Sequence, residues 1–429
     1  MNYKRKGNVY VIILLVAAGV IINALGGGVR SNFGIIIQPL SDSSGISYAS
    51  ISFILGVAQL MYGLTQPLWG MLAMKKTNSL VIICGIPLMA GGLIITAFTH
   101  SYAVMLLSLG LMVGGGAGAL CFGMIMGAIS PILGSGRAAT ASGILNAGSG
   151  IGGAALSPII QAISSSSGIS NALMFLAGPF VAMLPVVFWM NSLEKAAQSG
   201  NQSLRSEDTK GGRELTETGL GSNALKGSAA GNDSSLAVLR GALGSADYRR
   251  LMAGFATCGF HMIIIHTHMV SHFVSLGISA ASAALIYTAY GIFTMIGAVV
   301  SGLLCTRFHL KNVLGSLYGT RAIVVAIFLF VAPKNLISMI VFAFILGMTG
   351  DATVTPTSEI ISRRFGAKTM GFLFGITYVC HQIGAFVSSW LGGIFIDNMG
   401  NYSLIWIIDI MLCALAALVS FRISIKQGE

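Results

Sequence analysis

Thirteen consecutive residues, FHMIIIHTHMVSH at 260–272, carry four histidines in an otherwise apolar run. An imidazole can ligate a metal, relay a proton near neutral pH or hydrogen-bond a polar substrate. Few other ionisable side chains sit in comparably apolar surroundings: Arg30, Arg321, Asp351, His381 and Asp409. A guanidinium grips a carboxylate through two parallel hydrogen bonds, and a carboxylate or histidine can carry a proton. A metal centre needs three or four ligands converging on one point. At helical pitch His268 and His272 supply two, but His261 lies about 10 Å further along the axis, so no metal is expected.

These residues are sparse because the chain is greasy. Of 429 residues 55% are hydrophobic, 9% are charged and 56 are glycine, with a mean hydropathy of +0.83. That is too little charge to coat a water-facing surface. Apolar runs long enough to cross a bilayer, about 20 residues each, fall at 9–39, 47–73, 79–98, 102–130, 138–163 and 170–190. Six more fall at 249–276, 281–305, 312–331, 336–358, 367–394 and 401–422. The basic N-terminus MNYKRKGN leads into a run with no small-residue cleavage site, which predicts a first membrane helix rather than a signal peptide.

Lysine and arginine set the orientation, because cytoplasmic loops carry the positive excess. Lys4, Arg5, Lys6, Lys75, Lys76, Arg137, Arg307, Lys311, Arg363, Arg364, Lys368, Arg422 and Lys426 fall on one side with the middle segment, and only Lys334 on the other. Both termini are therefore expected in the cytoplasm. The net charge of +11 follows from this topology and does not point to nucleic acid. Cys84, Cys121, Cys258, Cys305, Cys380 and Cys413 all lie inside spans without a CxxC pair, as small apolar residues would.

Residues 191–247 interrupt the pattern with a Ser-, Gly- and charge-rich stretch that cannot bury enough apolar surface to fold alone. Its end, LAVLRGALGSADYRRLM, regains helical periodicity and is expected along the inner membrane surface. The six spans on either side resemble each other at an offset of 232 residues: Gly70 with Gly302, Lys75 with Arg307, Gly143 with Gly375, Ile151 with Ile383 and Gly152 with Gly384. Such repeats point to a site near the midplane between the halves, reached by alternating access.

The turns after spans two and eight read GMLAMKK from Gly70 and GLLCTRF from Gly302. With six plus six spans and a long middle loop, they resemble the major facilitator superfamily, although Met74 and Thr306 stand where its loop signature carries an acidic residue. The closer resemblance is to the monocarboxylate transporter group and its bacterial relatives. It rests on GRAATASGILNAGSGIGGAALSPI in span five, with Arg137, Ala147, Gly148, Ser149, Gly152 and Pro158 in matching positions. Span one, GGVRSNFGIIIQPL, matches through a basic residue, Ser31 and the aromatic-glycine pair Phe33 and Gly34; span eleven matches through His381 and Gln382. The resemblance implies that Arg30 stands where the family keeps a substrate-related lysine. Span eight departs from it: the family's small-carboxylate carriers place an Asp/Arg pair or an Arg there, and this span offers only Tyr287 and Tyr290.

An ionisable group inside a span is a functional candidate by default, facing the bundle interior or a wet cavity. Arg30 either binds an anion or snorkels to the outer interface. Arg321 is expected to snorkel to the cytoplasmic face, and Asp409 to serve packing on a peripheral span. Asp351 either carries a proton or pairs with a residue such as Arg363. The glycines of span five predict a close-packed helix face. On an α-helical projection His261, His268 and His272 share one face within about 40°, and His266 points about 140° away. Span seven lines the cavity in the family resembled, so the three-histidine stripe is expected there, handling protons or anions or only packing.

These readings predict an all-α membrane protein of twelve transmembrane helices, built as two six-helix bundles in the major facilitator fold. The domains are 1–190, a cytoplasmic linker at 191–247 with a short surface helix, and 248–429. The expected function is secondary active transport of a small organic anion, monocarboxylate-like, by proton-coupled uptake. Substrate binding is assigned to Arg30, Asn32, His261, Tyr287, Tyr290, His381 and Gln382, and proton coupling to His261, His268, Asp351 and His381. A monomer in a bacterial inner membrane, with lipid as its surroundings and no cofactor, is expected. Proton-driven efflux of a drug or hydrophobic metabolite is the alternative, suited by a Met-rich, aromatic cavity. A membrane sensor would need a folded output domain, which the linker does not resemble, and no nucleophile-His pair, paired acids or nucleotide loop supports an enzyme.

Overall fold

The computed structural model describes residues 2–133, 135–210 and 232–424, and among them every regular element is helical. The middle of the linker and Lys426 lie outside the described residues, as do the side chains of Lys4, Arg5, Lys6, Arg137 and Lys368 used above to set orientation.

Among the described residues eleven helices are long and apolar enough to cross a membrane. The twelfth crossing is span seven, which is divided into Ala246–Ile263, a π-helical turn Ile264–His268 and Met269–Ser275. Twelve spans thus form two six-helix bundles with both termini on the lysine- and arginine-rich side. Span one is also divided: Asn2–Ser31 gives way at Asn32 to a second helix, Phe33–Ser44. Span ten breaks as well, into Leu336–Thr349, a short 3-10 turn Asp351–Thr353 and Val354–Phe365. Irregular backbone at membrane depth is tolerated only where protein or a wet cavity satisfies it. The breaks in spans one, seven and ten border the cavity between the halves.

Span six does not stop where the linker was expected to begin. Its helix runs over Ile169–Lys210. The reason is Glu194, fully buried, whose carboxylate accepts from the backbone and side chain of Asn78 and Ser79 (2.6–3.1 Å). It caps the first turn of span three (Asn78–Phe98), where a negative charge meets unpaired N–H groups and the positive end of the helix dipole.

The 232-residue offset recurs in space. Ser47 caps span two (Tyr48–Lys75) by accepting from Ser50 N, and Ser279 caps span eight (Ala280–Arg307) by accepting from Ser282 N. Span five (Ser135–Ser167) lies against span one so closely that a Cβ built on Gly152 would overlap the carbonyl oxygen of Ala24. At the same offset, a Cβ on Gly384 of span eleven (Ala367–Met399) would overlap the carbonyl oxygen of Ala256 in span seven. Glycine is needed at both positions because nothing larger lets the backbones meet.

Arg321, in span nine (Leu310–Phe330), does not snorkel. It is fully buried and donates to the carbonyls of Thr349 and Gly350, the latter at 2.6 Å, at the break in span ten. A buried guanidinium without hydrogen-bond partners would cost several kcal/mol, so these carbonyls fix it there rather than at the interface.

Candidate functional site

Spans two and eleven and spans five and eight bring the halves together, and the contacts are one-sided. Tyr48 bonds His268 (3.1 Å), Ala49 N donates to Asp397 (2.9 Å) and Ser389 donates to Ser52 O (2.7 Å). Ser157 donates to Ala284 O (2.9 Å), Thr288 to Ala154 O (3.0 Å) and Tyr287 to Ser31 O. All of these lie in the outer part of the spans. Together they seal the outer side.

Beneath the seal lies a cavity between the halves, with about 480 Å³ of empty space when its open side is included. Arg30, Ser149, His266, Tyr287, Tyr290 and Asp351 are among its walls. Arg30 is half-buried; its Nη1 donates to Gln59 Oε1 (2.9 Å), the guanidinium lies 4.0 Å over the Tyr62 ring, and Nε has no partner. Both neighbours are neutral, so the charge is oriented without being neutralised. Tyr287 and Tyr290 stack on each other (5.7 Å), and the His266 ring stands edge-on to both (6.2 and 6.3 Å) with its Nδ1 unpartnered. Asp351 reaches the cavity because span ten breaks at Gly350, and its side chain is exposed there.

An aromatic chain leads from the cavity across the interface. From Tyr62, beneath Arg30, it passes to Tyr378 of span eleven (6.4 Å), which stacks on His381 (5.2 Å). His381 is half-buried with Nδ1 unpartnered. Gln382 is buried, presses against Gly63 of span two and has neither amide atom hydrogen-bonded.

The structure does not bring the other expected residues to the cavity. Asn32 is buried and donates to Gly28 O (2.7 Å) and Gly153 O (3.0 Å), tying the kink in span one to span five. His261 is fully buried and its Nδ1 meets Asp409 Oδ2 of span twelve (Ser403–Phe421) at 2.8 Å. The Nε2–H of His268 donates to Ser389 O (3.1 Å), which leaves Nδ1 to accept from Tyr48. His272 accepts from Trp406 Nε1 (2.9 Å).

The lining histidine is therefore His266, the one expected to turn away. The π turn explains the change, since i→i+5 bonding inserts about one residue per turn and rotates everything beyond it by roughly 100°. His268 swings toward spans two and eleven, while His261 and His272 reach span twelve. Gln59 and Tyr62 were also missed, although a glutamine in an apolar span was a readable signal.

The model of the Major Facilitator Superfamily matches residues 16–274 and 251–427. The chain belongs to this superfamily. It is 24% identical over 389 residues to Monocarboxylate transporter 12 of Rattus norvegicus, covering 87% of this chain and 76% of the relative. It is 28% identical over 183 residues to the uncharacterized MFS-type transporter YcxA of Bacillus subtilis (strain 168), covering 39% and 42%. Among solved structures, a D-xylose-proton symporter superimposes with a TM-score of 0.69 at 14% identity, over 96% of this chain and 98% of that one. The superfamily assignment makes the chain a multi-pass membrane transporter related to monocarboxylate transporters, not an enzyme.

Proposed function

We propose that this transporter carries a small organic anion into the cell together with protons, by alternating access, as a monomer of a bacterial inner membrane. The observation that carries this reading is Arg30: a guanidinium in the cavity wall, held by a neutral glutamine and a ring face, with an N–H free. A carboxylate arriving there gains charge-assisted hydrogen bonds away from bulk water. Similarity to proteins named monocarboxylate transporters supports the substrate class. Proton coupling is assigned to the imidazoles His266 and His381, each with an unpartnered nitrogen beside the Arg30 site. The seal on the outer side fits a state in which substrate leaves toward the termini.

The test is uptake of labelled carboxylates, amino acids and drugs into vesicles with and without a proton gradient. Carboxylate uptake should rise when the substrate-side medium is acidified, and Arg30→Gln should abolish it with the protein still in the membrane. Expulsion of an apolar drug without any carboxylate uptake would replace this reading with proton-driven efflux.

A further inference from the structure

We propose that the cavity is built for a zwitterion, a small molecule whose carboxylate meets Arg30 and whose ammonium group meets Asp351. The inference rests on the reading of Arg30 as the carboxylate site and narrows its substrate class.

The cavity presents two opposite charges, and among the described residues neither is held in a direct ion pair. Among the described residues Arg30 is held by Gln59 and the Tyr62 ring. Asp351 makes no hydrogen bond or ion pair among the described residues, and its carboxylate is exposed to the cavity. The nearby guanidinium of Arg321 is directed elsewhere, to the carbonyls of Thr349 and Gly350 and the sulfur of Cys258. A plain carboxylate on Arg30 would add a second negative charge in front of Asp351. A zwitterion gives each charge an opposite partner, and complementary pairing of this kind is what discriminates between ligands of similar shape.

The division of groups between the two halves agrees. Donors come from the N-terminal half, through Arg30 and Ser149. The C-terminal half offers groups suited to an ammonium: the Asp351 carboxylate, the unpartnered Nδ1 of His266 and the stacked rings of Tyr287 and Tyr290. An ammonium beside an aromatic face gains cation–π attraction in addition to the ion pair. Tyr290 is close to the break that carries Asp351, its hydroxyl lying 3.1 Å from where a Cβ on Gly350 would sit. A bound zwitterion would thus bridge the two halves, each holding one of its ends. This gives Asp351 a counter-charge role in place of the proton-carrying one its position in span ten first suggested.

The experiment uses the full-length protein in proteoliposomes and measures uptake and competition for short α- and ω-amino acids, each beside its unsubstituted acid, such as alanine and β-alanine beside propionate. For the preferred skeleton the aminated compound should compete about tenfold or more better than the plain acid. Asp351→Asn should erase that preference, weakening the amino acid and strengthening the acid, with thermal unfolding used to confirm that the variant is folded. Plain acids that bind the wild type as well as their amino counterparts, with Arg30→Gln still abolishing binding, would overturn the zwitterion and leave the anion reading standing. An amino-acid preference that survives Asp351→Asn in the folded variant would equally remove Asp351 from the site. Binding of neither kind of carboxylate, or binding indifferent to Arg30→Gln, would sink both.

Discussion

Arg30 is oriented by one hydrogen bond and one ring face, an arrangement that keeps a planar fork aimed at the cavity. Arg30→Lys should therefore fail to restore anion uptake, because an ammonium cannot make the same paired hydrogen bonds; recovery to near wild-type rates would show that only the charge matters. Asp409 and His261 form a buried pair away from the cavity. Asp409→Asn should lower stability by about 1–3 kcal/mol, seen as a lower thermal midpoint in detergent, because a buried imidazole loses its hydrogen bond to a charged group. Retained stability with altered pH dependence of uptake would instead put this pair in the proton path. His268 and His272 each have a partner at Nδ1 that donates to it, Tyr48 and Trp406. Adding a proton there would remove the acceptor, so both are built to stay neutral and hold helices together.

Helices in this molecule work through their interruptions. The π turn in span seven presents His266 to the cavity, and the break in span ten presents Asp351, with Arg321 bonded to the carbonyls of Thr349 and Gly350 beside it. The uninterrupted contacts are instead set by glycine. Gly152→Ala and Gly384→Ala each drive a methyl group into a carbonyl oxygen of the facing span. Each should cost about 1–3 kcal/mol of stability through forced backbone displacement. The repeat predicts similar losses in the two halves, measurable as matched drops in thermal midpoint. Gly143→Ala should be nearly silent, because nothing lies within 4 Å of a Cβ at that position.

For the whole molecule, a layer of hydrogen bonds joins the halves at the outer side, with Tyr48 linked both to His268 and to Tyr402. Tyr48→Phe removes both links and should shift the population toward outer-side opening; a thiol probe from outside should then label Ser52→Cys, buried between spans two and eleven, in a background without native cysteines, faster than when Tyr48 is intact. Equal labelling rates would mean that packing alone holds the seal. Much of this was legible beforehand. Hydropathy fixed the spans, because each crossing must satisfy its own backbone and present apolar side chains; basic residues fixed the orientation, and an offset of 232 fixed the repeat. The sequence also marked Arg30 and Asp351 as costly residues that need a purpose. What it could not determine is which side of a span faces the cavity. A periodic projection assumes an unbroken α-helix, and one π turn reassigned His266 to the interior while Trp406 and Asp409 drew His272 and His261 to span twelve. Nor could it bring Arg30 and Asp351, more than 300 residues apart in the chain, to the walls of one cavity. That juxtaposition depends on how two bundles dock, and docking is decided by side-chain contacts between distant spans rather than by the composition of any one of them.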